Sequence, residues 1–197
     1  MMKSICALAR RPDLSRGDFA NYYEDRHAPL ALGYFPFRRY VRNHLLDNPH
    51  IGFDTVSEFW ADDLAAMTGI LEGPAGAIIS VDERRFMDQS RKAPGGAEEQ
   101  MLSDGPPADS QGIRTAALVN WPGDDGAARA DLLAWGREIA TDQTGVSVDF
   151  VQSWSEPAFP ARAVLWAPGL VGKPPSTLDA RILRVHRIET DRSALLL

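Results

Sequence analysis

The same succession of strand-like and helix-like segments runs through this chain twice, and few architectures accommodate such a repeat. In the first run, Lys3 to Arg10 reads as a strand. Pro12-Asp13 then turns the chain, and the Ser15 hydroxyl can cap a helix whose first turn carries Asp18. Phe19, Tyr22, Tyr23, Arg26/His27 and Leu30 recur at three- and four-residue spacing, which makes one buried stripe. Pro29 lacks an amide proton and its ring clashes with the preceding turn, so the helix is expected to end or kink there. Arg39 to Leu46 and Asp54 to Trp60 are short and rich in β-branched or aromatic residues, an antiparallel pair around a loop at 47–53. A second helix begins after Asp62/Asp63 with Leu64, Met67, Ile70 and Leu71 on one side. It breaks at Gly73-Pro74 and resumes towards Phe86. Gly95-Gly96 reads as a turn, and Gln100 to Ser103 as part of a fourth strand.

Asp104 to Gly112 is polar and turn-rich, a linker after which the pattern restarts. Ile113 to Trp121 reads as a strand, and Ala127 to Ala140 as a helix carrying Leu132, Leu133, Trp135 and Ile139. Val146 to Trp154, Ala163 to Trp166 and Arg181 to Ile188 are strands, while Pro168, Gly169, Gly172, Pro174 and Pro175 leave little room for a second helix. Both runs therefore follow β-α-β-β-(α)-β, the ferredoxin-like order. The fold expected is α+β, with residues 1–103 and 113–197 as two ferredoxin-like halves and 104–112 between them. A sheet with helices on one face must bury the other, so the two sheets should pack together as a pseudo-dimeric barrel. Pairing with a second chain is the rival, because an antiparallel edge remains available. The chain is thus either a monomeric pseudo-dimer or a homodimer.

Composition narrows the partners. Hydrophobic residues at 44% and charged residues at 24% fit a water-soluble globular protein and neither a disordered chain nor a membrane protein. The net charge of -6 argues against a nucleic-acid binder, and Arg38, Arg39 and Arg42 cannot share one strand face. No run approaches the ~20 apolar residues of a membrane helix, and the apolar start at Ile5 to Ala9 is too short for a secretion signal. A lone Cys6 forms no internal disulfide, and no Cys/His spacing suits zinc or iron-sulfur. A cytoplasmic protein with no metal, no cofactor and a small-molecule ligand is the expectation.

The run Phe19-Ala20-Asn21-Tyr22-Tyr23-Glu24-Asp25-Arg26-His27-Ala28-Pro29-Leu30 resembles the hallmark of the EthD family, an aromatic-rich first helix ending in His-Ala-Pro-Leu. Tyr40-Val41-Arg42-Asn43-His44, Asp54 to Trp60 and Asp82 to Asp88 resemble later segments of that family, so the likeness spans about residues 3 to 92. The resemblance implies the dimeric α/β-barrel superfamily. Its members include muconolactone-type isomerases, aromatic polyketide cyclases, cofactor-free monooxygenases and haem enzymes. The helix at Leu132 to Thr141 carries no His-Ala-Pro-Leu, so a second copy of a site built on that motif is not expected.

His27 shares the helical stripe with Tyr23 and Phe19, and an imidazole with an ordinary pKa near ~6.5 suits acid-base work at a sheltered edge. A structural histidine near a helix end is the bland counterpart. Period two puts Tyr40, Arg42 and His44 on one strand face and Asp54, Val56, Glu58 and Trp60 on another. Val41, Leu45 and Phe59 suit helix packing, so the two polar faces are expected to meet inside the barrel. An Arg42-Glu58 cross-strand ion pair is the alternative. Asp82 reads as a helix cap. The candidate catalytic residues are therefore His27, His44 and Glu58, with Tyr23, Tyr40, Arg42, Asp54 and Trp60 contacting the ligand and Arg42 or Tyr40 steadying an oxyanion. The function expected is a cofactor-independent lyase, isomerase or cyclase acting on a small cyclic or aromatic compound in a barrel cavity. A non-catalytic ligand-binding or accessory protein of a catabolic or biosynthetic pathway, and a haem- or oxygen-using barrel enzyme, are the other readings.

Overall fold

In the computed structural model, which describes residues 1–46 and 51–195, eight strands close into one antiparallel barrel. They are β1 (Met2–Leu8), β2 (Arg39–Leu45), β3 (Thr55–Ala61), β4 (Ala93–Met101), β5 (Ile113–Asn120), β6 (Ser147–Ser153), β7 (Ala163–Ala167) and β8 (Asp179–Glu189). Around the barrel the order is β1-β3-β2-β8-β5-β7-β6-β4. Residues up to 101 supply the arc β4-β1-β3-β2, and residues from 113 supply the arc β8-β5-β7-β6, so each run places its strands in the same internal order. The arcs meet at two antiparallel seams, β2 with β8 and β4 with β6. The barrel closes within one chain, which leaves neither arc with an unpaired edge and removes the need for a second chain to complete it. Residues 47–50, in the loop expected between β2 and β3, lie outside the described residues.

The helices cover the barrel unequally. On the first arc lie α1 (Arg16–Tyr22), a single π-turn (Tyr23–His27), α2 (Ala28–Leu32), α3 (Leu64–Glu72) and α4 (Pro74–Glu83), whereas among the described residues the second arc has one α-helix, α5 (Asp125–Ile139). The strand-poor, Pro- and Gly-rich stretch from 168 to 178 forms no helix. Among the described residues no single helix is long and apolar enough to cross a membrane; α3 and α4 together reach that length but are bent by 77°.

Two local expectations need correction. Pro29 does not break the helix, because the amide of Ala28 reaches back five residues to the Tyr23 carbonyl and the widened turn starts a fresh α segment with proline in its first turn. Gly95-Gly96 is no turn but part of β4. A Cβ at Gly95 would stand 2.8 Å from the Gln152 carbonyl oxygen, and one at Gly96 would stand 3.2 Å from the Trp154 ring, so the seam with β6 demands glycine for its closeness.

The barrel interior is packed rather than hollow. Ile5, Leu45, Val56, Leu118, Trp166 and Leu183 belong to one buried cluster there. At one level this apolar filling gives way to ions. The Lys3 ammonium lies 2.7 Å from Glu99, 2.7 Å from Asp149 and 2.8 Å from Glu58. Arg114 pairs with Glu58, donates to Asn43 Oδ1 at 2.9 Å and stacks 3.8 Å over the Trp166 ring. Burial opposes every one of these charges, but the surrounding carboxylates outweigh it at Lys3 and hold the ammonium pKa above its usual value. At Glu58, likewise, burial pushes the carboxyl up and the charges of Arg114 and Lys3 bring it well below the ordinary range. Replacing Lys3 with Met should leave Asp149 and Glu99 without a cation, and Glu58 with Arg114 alone, and lower unfolding free energy by about 3–5 kcal/mol, read from urea melts at neutral pH. A loss under ~1 kcal/mol would show that the network contributes little.

Candidate active site

Ser15 Oγ accepts the Asp18 amide at 3.0 Å and fixes the start of α1, from which Phe19, Tyr23 and His27 point at the sheet and are buried. The His27 ring packs against Tyr23 and Phe86, with centroids 5.2 and 4.9 Å away. Its Nδ1 is 2.9 Å from Asp82 Oδ2, and the Tyr22 hydroxyl donates to the other oxygen of the same carboxylate at 2.7 Å. A carboxylate only accepts, so Nδ1 carries the proton and the neutral ring keeps its lone pair at Nε2. Burial pushes the imidazole pKa below its ordinary value, although the Asp82 hydrogen bond and the charge of Glu83 work against that. The result is a neutral base with a fixed tautomer.

Asp82 is therefore not a helix cap. It sits near the end of α4, one turn after Ile79 and one before Phe86, on the stripe that faces the sheet. That spacing was readable in the sequence, and Glu83 beside it shares the same inward direction.

A cavity of about 340 Å³ lies between the helices and the outer face of the first arc, with His27 in its wall. Ser4, Cys6, Tyr40 and Phe59 form the floor, and Phe35, Phe37, Leu64, Met67 and Ile79 the surrounding walls. Half-exposed Trp154, which directly follows β6 of the second arc, stands at the rim. A Glu83–Lys92 ion pair, 2.5 Å between charged atoms, also borders the space. The Tyr40 hydroxyl donates to Tyr23 at 2.9 Å, and Tyr23 and Ser57 are 2.7 Å apart, so these hydroxyls are committed to each other. Burial raises the Cys6 thiol to about 12, which keeps it protonated and poorly nucleophilic. Among the described residues no three His, Cys, Asp or Glu side chains gather as a metal site would require.

The sequence-derived candidates divide into four places. His27, Tyr23 and Tyr40 line the cavity. His44 and Arg42 lie on the same outer face but close on Glu24: His44 Nε2 is 2.6 Å from it, His44 Nδ1 is 2.7 Å from Thr55, and Arg42 Nη2 donates to it at 2.6 Å. Both ring nitrogens of His44 are thus occupied, which leaves none for a substrate. Burial would raise the Glu24 carboxyl, but the hydrogen bonds from His44 and Arg42 hold it below its ordinary value. Glu58 and Trp60 point the other way, into the packed interior, where Trp60 Nε1 donates to Glu99 at 3.1 Å. The expected meeting of the two polar faces in a barrel cavity does not occur. Antiparallel register sets Tyr40 opposite Phe59 and Val41 opposite Glu58, so even positions on β2 share a side with odd positions on β3. The Arg42–Glu58 pair is excluded for the same reason. Asp54, ahead of β3, binds Arg10 Nη1 at 2.5 Å and Arg16 Nε at 3.0 Å.

These residues belong to a stretch with known relatives. Residues 11–90 match the EthD domain model. His27, Tyr22, Tyr23, Tyr40 and Asp82 all fall inside the matched residues, as the His-Ala-Pro-Leu run implied, whereas Lys92 and Trp154 lie beyond them. An EthD family protein from Bacillus halodurans is 22% identical, with 44% of this chain and 88% of that one covered at a TM-score of 0.37. Over the whole barrel, a provisionally assigned monooxygenase from Fusobacterium nucleatum is similar at 7% identity and TM-score 0.57, covering 94% of this chain and 91% of its own. Another from Lactobacillus acidophilus reaches 9% and 0.55, over 94% and 93% of the two chains. A provisionally assigned chlorite dismutase reaches 10% and 0.52, over 97% and 95%. At such identities these structures bear on the fold alone, a mixed α/β barrel of this type. No curated protein matches the sequence.

Because the folded His27 pKa lies below its unfolded value, the unfolded chain binds the extra proton first. The stability due to the neutral ring is full above about pH 6.5 and is lost as the pH falls from there through the folded value. Urea midpoints between pH 7.5 and 5 should therefore fall more steeply for the wild type than for His27→Gln. Equal slopes would refute the assignment of a buried neutral ring.

Proposed function

We propose that the chain is an acid-base catalyst, acting without a cofactor as an isomerase, cyclase or lyase on a small cyclic or aromatic compound held in the first-arc cavity. The observation that carries this reading is a neutral imidazole oriented by Asp82, with Nε2 lacking any partner among the described residues, in the wall of a largely apolar cavity. In the proposed step Nε2 takes a proton from a carbon beside a carbonyl, and the C–H electron pair moves onto the carbonyl oxygen. The imidazolium is then stabilised by Asp82 and returns its proton at another position, or to a departing oxygen. The volume fits a ligand of a few fused rings, within the range of ordinary small-molecule sites. Aromatic walls at Phe35, Phe37 and Phe59 suit flat faces.

The same reading extends to the architecture. The repeated internal strand order supports two ferredoxin-like halves, residues 1–103 and 113–197 with 104–112 joining them, related as a pseudo-dimer. Only the first half keeps a ligand site, since α5 fills the equivalent space on the second. Leu132, Trp135 and Ile139 are buried there with Leu165, and a Cβ at Gly136 would come within 2.4 Å of Leu102. Sedimentation should find a monomer, as the barrel has no edge left to share, and a stable dimer at micromolar concentration would contradict this.

Proton transfer is testable before the natural substrate is known. In D₂O, a panel of cyclic ketones, lactones and enones followed by NMR should include members whose acidic C–H exchanges faster with the protein present. His27→Gln should reduce that exchange by ~10²- to 10⁴-fold while the thermal melt stays cooperative. Asp82→Asn should also slow exchange, by a smaller factor, because it leaves the ring in place without its anchor. Binding without exchange across the panel would favour the non-catalytic ligand-binding reading, and unchanged exchange in His27→Gln would remove this residue from the mechanism.

A further inference from the structure

Taking a proton from carbon puts negative charge on an oxygen, and in an apolar cavity that charge requires a partner. The groups first considered for it are spent elsewhere. Arg42 is held by Glu24 and by Thr190 Oγ1, at 2.5 Å, and does not line the cavity. Tyr40 gives its hydroxyl proton to Tyr23. Among the described residues lining the cavity, Lys92 is the one cation, the His27 ring being neutral. Its backbone is pinned between the short helical turn Gln89–Arg91 and the first residue of β4, which pairs with Ala7 of β1. Its ammonium has three N–H groups and meets a single described acceptor, Glu83 Oε1 at 2.5 Å. Glu83 is separately supported by Gln89, whose amide donates to Oε2 at 3.0 Å. A ligand oxygen can therefore join Lys92 without displacing Glu83 from its own partners. The charges of Lys92 and Glu83 both act on the His27 ring, which places the pair within electrostatic reach of the base.

We propose that Lys92 is the anion-receiving residue of this cavity, and that the ligand carries a carboxylate, phenolate or enolate oxygen that docks on its ammonium. Glu83 holds the ammonium in place and limits its attraction for anions at large. This assignment rests on the cavity being a ligand site, as proposed above, but it does not require that His27 be catalytic.

The test uses two probes of one shape and different charge, 2-naphthoate and neutral 2-naphthalenemethanol, titrated calorimetrically into the full chain at pH 7.5. The wild type should bind the carboxylate about 10-fold more tightly than the alcohol, the margin of one charge-assisted hydrogen bond. Lys92→Gln should abolish that preference and leave the alcohol affinity unchanged, whereas Glu83→Gln should increase it by releasing the ammonium. Opposite signs in the two variants are the signature, because a purely structural ion pair predicts parallel losses for both probes in both variants. Parallel losses, or equal affinity of both probes in the wild type, overturn the assignment to Lys92 while leaving the cavity a ligand site. Failure of both probes to bind the folded wild type overturns the cavity reading along with it.

Discussion

One buried ammonium fixes the geometry on which the rest depends. Lys3 on β1 reaches Glu58 on β3, Glu99 on β4 and Asp149 on β6, and Arg114 on β5 ties Glu58 to Asn43 on β2. The contacts cross from one arc to the other. A slip of any of these strands by a single residue would turn a charge out of the network and set an apolar side chain in its place, so the register cannot drift. Buried ion pairs are weak sources of stability compared with apolar packing, but they are unforgiving of misplacement. Once the inward residues are fixed, so are the outward ones, and the face bearing Ser4, Cys6, Tyr40 and Phe59 is presented to the helices.

The two arcs then differ in what covers them. On the second, α5 is one continuous helix whose Leu132, Trp135 and Ile139 sink into the sheet side and leave no room. On the first, the cover is broken into short pieces. Gly73-Pro74 divides α3 from α4, and α3 has no fully buried residue although Leu64 and Met67 border the cavity. A helix of nine residues bent away from its successor cannot lay a continuous ridge on the sheet, and the gap it leaves is the cavity. The same sheet therefore supports a filled side and an open side, and helical continuity decides between them.

This explains what was legible from the amino-acid order. Strand and helix succession follows from local periodicity, and the inward direction of Phe19, Tyr23 and His27 follows from the helical stripe. Strand pairing does not follow in the same way: period two sorts Tyr40 from Val41 within β2, but only the register tells which of them lies beside Glu58. Taking equal parity for equal side put Glu58 and Trp60 with His44, when the barrel wall separates them. The Lys3 network was hidden for a further reason, since Lys3 and Asp149 are brought together by closure of the whole barrel. Reading Asp82 as a cap sets it outside the helix, whereas as part of the stripe with Ile79 and Phe86 it points at His27.

The π-turn from Tyr23 to His27 sets the orientation of the base. In an α-helix, side chains five residues apart point about 140° away from each other, so Tyr22 and His27 would face different neighbours. They instead bind the two oxygens of one carboxylate, that of Asp82. The widened turn from Tyr23 to His27 supplies the missing rotation, carrying a residue five positions on round to nearly the same side. Pro29 gives the chain a reason to adopt it, because a regular α turn at that point would leave a carbonyl without a donor and press against the proline ring. The proline of the His-Ala-Pro-Leu run is thus part of the site without touching it. It reshapes the helix so that Asp82, held by Tyr22, can set the tautomer of His27 and leave Nε2 free.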